Sequence, residues 1–368
     1  MNNFKKFKFY GLLMIITWLG AWNGAFAAMG SLGEPPGEET VQSGPGSCGK
    51  KPIQNWALSF DNDILVPSSR DQDYTYGVSL SASGSAIAEG FGFIHEPLSV
   101  LNKNLAGFTT ANNATTHSVE FGIYGFTPED LAVTIPNHDD RPYASMVYLS
   151  AAQEQAGAQE NVVWRSALTL GVLGLDVAGQ LQNDVHRLID SQLAEGWQHQ
   201  ISDGGELTAR YTLARQTLWT LGNPNLELKT SWMGSLGYIT EIGYGASLRF
   251  GHIASRWQSY NPELTQYREQ ASQATAGKCQ NESYFVAGVA LKARAYNAFL
   301  QGQFRRSEVT YSGSELEHGI VEAWMGYTHA FANGYRVSYV LRGHSSEVKH
   351  GAGDRNVMWG GLTLAQHF

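Results

Sequence analysis

The chain closes on Leu362-Thr363-Leu364-Ala365-Gln366-His367-Phe368, an alternating run in which Leu362 and Leu364 stand on one side of an extended chain and Thr363 and Ala365 on the other. The same period of two recurs upstream. Val162, Trp164, Leu168, Leu170 and Val172 share one face, opposed by Arg165, Ala167, Thr169 and Gly171. Tyr335, Val337, Tyr339 and Leu341 oppose Arg336, Ser338 and Arg342, and Leu226, Leu228, Thr230 and Trp232 oppose Glu227, Lys229 and Ser231. One face is greasy and aromatic, the other polar or glycine-rich, so each run lies between two environments.

A soluble sandwich also alternates, but its outer face carries more Lys and Glu than stand here, where charged residues are 16% of the chain. The pattern fits a transmembrane antiparallel β-barrel, and the terminal strand ending on Phe368 resembles the last strand of outer-membrane barrels. The N-terminus agrees. Lys5, Lys6 and Lys8 precede an apolar stretch from Phe9 to about Trp22, and Ala25-Phe26-Ala27 reads as a cleavage site, so residues 1–27 are expected to be a signal peptide. Residues 28–54, rich in Gly, Pro, Glu and Ser, are expected to be a flexible periplasmic tail before a barrel over 55–368.

Composition excludes other classes. The 16 Phe, 17 Tyr and 10 Trp argue against a disordered chain, and 2 Cys are too few for a disulfide scaffold or a metal-thiolate centre. A mean hydropathy of −0.25, with no apolar run of about 18 residues, excludes a helical membrane protein. Loss of the three leader lysines leaves 22 basic against 33 acidic residues, about −11, so generic nucleic-acid binding is not expected.

The alternation predicts about twelve strands, near 55–64, 73–84, 116–126, 142–153, 162–174, 206–219, 225–237, 241–252, 283–298, 319–331, 334–346 and 357–368. With both termini periplasmic, loops after odd-numbered strands are external. Cys48 and Cys279 then share the periplasmic side, where they are either bonded or two unpaired thiols.

One segment breaks the strand pattern, the 178–195 stretch AGQLQNDVHRLIDSQLAE before Gly196. Leu181, Val185 and Leu188 repeat at helical spacing, and Gln182, His186 and Asp190 fall at i, i+4 and i+8 on one side. This predicts a helix in the third external loop. Taken alone, His186 reads as a helix-surface histidine that bonds a neighbour. A second polar concentration flanks the first hairpin, Ser59-Phe60-Asp61-Asn62-Asp63 and Asp71-Gln72-Asp73-Tyr74-Thr75-Tyr76-Gly77. Parity points Asp61, Asp63, Asp73, Thr75 and Ser79 inward and Asn62 outward, unless a bulge intervenes. Oxygen donors of this kind suit Ca²⁺, although Asp and Asn also simply solvate hairpin turns.

Four motifs in order, F-D-N-D, D-Q-D-Y-T-Y-G, T-P-E-D-L with D-D-R-P-Y-A, and Q-N-D-V-H-R, resemble the LpxR-type lipid A 3′-O-deacylases of Gram-negative outer membranes. The similarity runs over nearly the whole chain after Gln54. It implies a twelve-stranded barrel that uses Ca²⁺ to hydrolyse the 3′-linked acyloxyacyl ester of lipid A, with its active site facing the cell surface. Carried onto this chain, it implies His186 as general base, Asn62, Thr75 and Gln182 as catalytic neighbours, and Asp63 as part of the calcium site; Asp73 is the further candidate ligand from the oxygen donors of the hairpin. The family can carry Glu six residues after the His, where this chain has Gln192; Asp190, one turn from His186, is a candidate orienter of the imidazole in its place. Arg187 and Arg141 are candidate contacts to lipid A phosphates, although Arg141 in Asp139-Asp140-Arg141 is read first as a lock on its own loop. The implied partners are lipopolysaccharide, the outer membrane and the barrel-insertion machinery, with a monomer expected.

The chemistry suits these residue types. Ester hydrolysis by water needs a base titrating near neutral pH, which His supplies, and positive charge on the carbonyl oxygen, which Ca²⁺ supplies. Two rivals are a calcium-dependent outer-membrane phospholipase using Ser79 or Ser81, and a non-enzymatic channel or adhesin.

Overall fold

The computed structural model describes residues 53–66, 72–105, 115–157, 159–259, 261–267 and 280–368. Both the leader and nearly all of the tail lie outside them, as do Cys48, Asp71 and Cys279. Twelve strands form one closed antiparallel barrel: β1 (Asn55–Asn62), β2 (Asp73–Ser83), β3 (Thr115–Thr127), β4 (Ala144–Ala156), β5 (Val162–Leu173), β6 (Glu206–Thr220), β7 (Leu226–Gly237), β8 (Ile239–His252), β9 (Glu282–Asn297), β10 (Gly319–Ala330), β11 (Tyr335–His344) and β12 (Val357–His367). Each strand pairs with its sequence neighbours, and β1 closes on β12 with Asn55 opposite His367. The closing strand thus leaves no edge unpaired. We call the end holding Asn55 and His367 the terminal end, and the other the loop end.

The outward face is the greasy one. Leu207, Trp232, Ile242, Phe285, Leu291 and Met325 are exposed along the wall, as a lipid-facing surface requires. The lumen is filled. Toward the loop end Tyr74, Tyr124, Phe126, Tyr267, Phe299 and Trp359 pack together, and elsewhere buried ion pairs join the strands, among them Lys292–Glu322 at 2.6 Å and Arg294–Glu241 at 2.7 Å. Burying charge in this way is tolerated because each partner compensates the other. Part of the filling comes from the β8–β9 connection, which turns back into the barrel. Its Asn261 and Glu263 both bind Lys229 at 2.8 Å, and its Tyr267 stacks on Trp359.

Between β2 and β3, at the terminal end, two helices stand where none is expected from sequence, α1 (Ser85–Gly90) and α2 (Gly92–Leu105), and a single helical turn, Ala298–Gln301, follows β9. The expected loop helix is present as α3 (Val177–Ile189), between β5 and β6 at the loop end. It stops six residues short of the predicted 195, because Asp190 adopts φ 58° and its N–H turns back to the His186 carbonyl.

Candidate active site on the outer wall

The site begins where β1 leaves the barrel. Asn62 caps a 3₁₀ turn, Asp63–Leu65, its side-chain oxygen accepting from the Ile64 N–H at 2.8 Å while its amide donates to the Thr75 carbonyl at 2.7 Å. The turn folds over the outer wall, where Leu65 sits against Gly360 and accepts from the Tyr339 hydroxyl at 2.7 Å. Side-chain size at 360 is therefore constrained: a Cβ there would stand 2.6 Å from that of Leu65.

Across the hairpin, β2 carries a bulge. Its register slips between Tyr74 and Tyr76, and Asp73 sits at φ 69°. The slip reverses the expected parity at two positions. Tyr74 points inward, its hydroxyl donating to Asp61 at 3.3 Å, and Thr75 turns outward, its hydroxyl 2.5 Å from that of Thr127. Thr75 therefore joins Asn62 on the lipid side of the wall. Asp61, Ser79 and Ser81 keep the inward parity, buried in the lumen.

A chain of contacts leads from this hairpin to α3. Tyr76, the cross-strand partner of Asn62, faces outward and donates to the Ala178 carbonyl at 3.0 Å. Ala178, Gly179, Gln182 and His186 form the buried face of α3, which packs with Tyr76, Leu131, Tyr143, Ala194 and Trp197. The helix thus lies on the outside of the barrel, its polar row turned to the wall.

Two hydrogen bonds set the chemistry of that row. The Trp197 indole donates to Gln182 at 2.8 Å. An indole N–H can only donate, so the contacted atom is the amide oxygen and the other end of Gln182 must be the NH₂. That NH₂ is buried and has no acceptor among the described residues. Four residues on, His186 bonds through Nδ1 to the Gln192 carbonyl. A carbonyl only accepts, so Nδ1 carries the proton and Nε2 is the basic nitrogen of the neutral ring. Asn183 secures the return segment by bonding both the N–H and the carbonyl of Ala194, at 2.8 and 2.9 Å.

The candidate orienter, Asp190, is exposed and makes no side-chain bond to His186; the main chain of Gln192 does that work instead. Sequence gave no sign of this. A carbonyl belongs to every residue type, and only the early end of α3 brings this one within reach. Trp197, fifteen residues from Gln182, was equally silent.

The ionic residues divide. Asp63 is buried at the turn, its carboxylate accepting from the Gln72 N–H at 2.5 Å. Asp73 is held instead by two guanidiniums, Arg355 at 3.0 Å and Arg141 at 3.5 Å, which neutralise the charge a cation would need. A calcium role thus fits Asp63 and not Asp73. Arg141 is buried over the Phe126 ring and also faces Glu347 at 3.6 Å, so it locks the loop end from within and is not presented to lipid. In the loop after β11, burial works against the charge of Glu347, but Arg294, His344 and Arg141 outweigh it and bring its carboxyl down to about 2. Arg187 stands exposed on α3, bridged to Asp184 at 2.7 Å. Among the described residues no group of three or more His, Cys, Asp or Glu side chains is arranged to hold a metal. Any ion at Asp63 would therefore draw on neutral oxygens as well.

Comparison with known proteins places the whole of this architecture. The sequence model of a family described as "Outer membrane protein LpxR" matches residues 26–368. Among solved structures, LpxR from Salmonella typhimurium superposes with a TM-score of 0.65 at 18% identity, covering 85% of this chain and 100% of that one. The β domain of the Bordetella autotransporter BrkA (TM-score 0.41, 12% identity, 86% and 100% covered) and the translocator domain of NalP from Neisseria meningitidis (0.33, 9%, 86% and 87%) are more distant. No curated protein sequence matches. The match over nearly the full length, with the closed twelve-stranded barrel, shows that this chain belongs to the LpxR family of outer membrane proteins.

Proposed function

We propose that this chain is a lipid A 3′-O-deacylase, hydrolysing the 3′-linked acyloxyacyl ester of lipid A within the outer leaflet, with α3 facing the cell surface. The observation that carries the reading is the tautomer of His186, fixed by the Gln192 carbonyl on the buried, wall-facing side of a helix outside the barrel. Here Nε2 takes a proton from water as the water attacks the ester carbonyl, and the proton then passes to the leaving alkoxide. The Gln182 NH₂ donates to the substrate's carbonyl oxygen as charge builds on it. Thr75 and Asn62 line the approach from the wall. Asp63 would hold Ca²⁺, which when bound supplies Lewis-acid polarisation of the ester. Arg187 receives a lipid A phosphate, offsetting the negative charge of the protein.

The rivals lack such support. Ser79 and Ser81 face a packed lumen and not lipid, and that lumen is crossed by side chains where a channel needs water. The deciding experiment is mass spectrometry of lipid A from a host expressing the wild type or His186→Ala, with membranes incubated in calcium or in chelator. Release of the 3′ acyloxyacyl unit by the wild type alone, and only with calcium, is expected. Unchanged lipid A despite folded wild-type barrel in the membrane sinks the proposal.

A further inference from the structure

Helix α2 lies on the outside of the barrel, at the terminal end. Its Ile94 and Leu98 pack on Ala151 of β4 and Leu168 of β5, with Leu149 and Tyr211 alongside. These wall residues all point outward, because their strand neighbours Ser150 and Thr169 bond to each other in the lumen, as do Glu154 and Arg165. The wall beneath the helix is unusual for a lipid-facing surface in being polar. Gln153 accepts from Asn102 at 2.7 Å, the Tyr211 hydroxyl donates to Asn102 at 2.9 Å, and the His117 ring meets His95 edge-on at 5.1 Å. Bare acyl chains would leave these groups without partners at a cost of several kcal/mol each. The helix supplies them.

What the helix turns away from the wall is apolar again. Phe93 and Val100, two helical turns apart on one stripe, are 64% and 58% exposed. Glu96 and Lys103 form a neighbouring stripe, so α2 presents three faces, one each for the wall, an apolar medium and water. Elsewhere at the terminal end the barrel carries an exposed aromatic row, Phe250, Phe285 and Tyr327, paired across β8, β9 and β10. Rows of this kind sit at the membrane interface.

We propose that α1 and α2 continue this lipid-facing belt over β3 to β6, with Phe93 and Val100 inserted among phospholipid acyl chains of the leaflet at the terminal end. The occupant of the exposed stripe is lipid, because exposed apolar wall residues stand at the same end beyond it on both sides, Trp219 on β6 and Leu364 on β12. Such helices lie roughly 5–10 Å into the headgroup and acyl boundary. This proposal is independent of the catalytic reading.

The test places single cysteines at Phe93, Val100, Glu96 and Lys103 in full-length protein carrying Cys48→Ser and Cys279→Ser. Each is labelled with an environment-sensitive fluorophore and reconstituted in phosphatidylcholine vesicles. Phospholipids with acyl-chain doxyl groups should quench positions 93 and 100 several-fold more than positions 96 and 103, with iodide showing the reverse order. Iodide quenching at 93 and 100 as strong as at 96 and 103 would overturn the proposal, and would mark the stripe as water-exposed. All four sites are exposed, so heat-modifiable mobility should confirm an intact barrel in each.

Discussion

Gly179 is the position at which the smallest change should do most to the site. It lies in the first turns of α3, where a Cβ would stand 2.6 Å from Trp197 Cγ and 2.8 Å from its Cδ1. Carbon atoms settle at about 3.5–4.0 Å, so Gly179→Ala must move the indole or the helix by about 1 Å. Against this, alanine in a helix gains about 1 kcal/mol over glycine, while overpacking costs typically ~1–3 kcal/mol, so global stability should change little. Function should not be spared. The same indole orients Gln182, and His186 rides on the same helix face; a 1 Å error in a reacting geometry can cost about 10²-fold in rate. The assay is the rate of release of 3′ acyl chains from lipopolysaccharide by purified, refolded protein, with heat-modifiable mobility as the folding check. Gly90→Ala, where a Cβ meets nothing within 4 Å, is the control and should behave as wild type. A Gly179→Ala enzyme as fast as wild type would refute the claim that the Trp197 contact sets the site.

Two further outcomes follow from the same geometry. Trp197→Phe keeps a ring against Tyr143 but removes the indole donor, freeing the Gln182 amide to turn over. The loss of one neutral hydrogen bond, about 1 kcal/mol, should lower kcat about fivefold with KM nearly unchanged; the effect should vanish in a Gln182→Leu background, and a full additive loss there would show that Trp197 acts some other way. Glu347 gives the pH dependence. Its folded carboxyl, at about 2, lies below the ordinary 4.5, so its contribution to stability is complete above about pH 4.5 and is lost as pH falls toward 2. Thermal melts followed by gel mobility should show Glu347→Gln less stable than wild type at pH 7, with the difference narrowing as pH falls below about 4.5 and closing only near pH 2. A constant difference across that range would remove Glu347 from the ionic lock.

The strands were legible because a barrel wall separates two media, and every second side chain reports which medium it meets. That is why the twelve runs and the antiparallel closure could be read from parity. The failures lie where parity is reset by geometry that leaves no trace in residue type. Nothing in Asp73-Tyr74-Thr75 marks the one-residue bulge that sends Tyr74 into the lumen and Thr75 to the wall. Helix α3 was visible in Leu181, Val185 and Leu188, but its end was not, because Asp190 in a left-handed turn looks like any helix-surface aspartate. Gln192 departs from the Glu that the resemblance implies there, yet the bond that orients His186 comes from the main chain at that position. Helix α2 escaped notice because its pattern is three-sided. Phe91, Ile94, Leu98 and Leu101 repeat toward the wall, while Phe93 and Val100 blur the period by adding a second apolar stripe.

A filled lumen explains why the polar helix row lies outside the barrel. Among the described residues Tyr267, Trp359 and the Glu241, Arg294, Glu322 and Arg342 ion pairs cross the interior, and the surface that meets lipid is the wall. A lipid reaching an interior site would have to draw its chains out of the bilayer, at about 0.8 kcal/mol per methylene, or about 10 kcal/mol for a twelve-carbon chain. A site on the wall avoids that cost entirely. Under the proposed function, lipid arrives by lateral diffusion with its chains still in the membrane, and only the ester at headgroup depth must leave water and lipid for the protein. For such a substrate the barrel is a rigid post. Its bulge turns Thr75 outward, its first hairpin exposes Asn62, and its Tyr76 hydroxyl pins the start of α3, so that Gln182 and His186 are held against a surface that cannot yield.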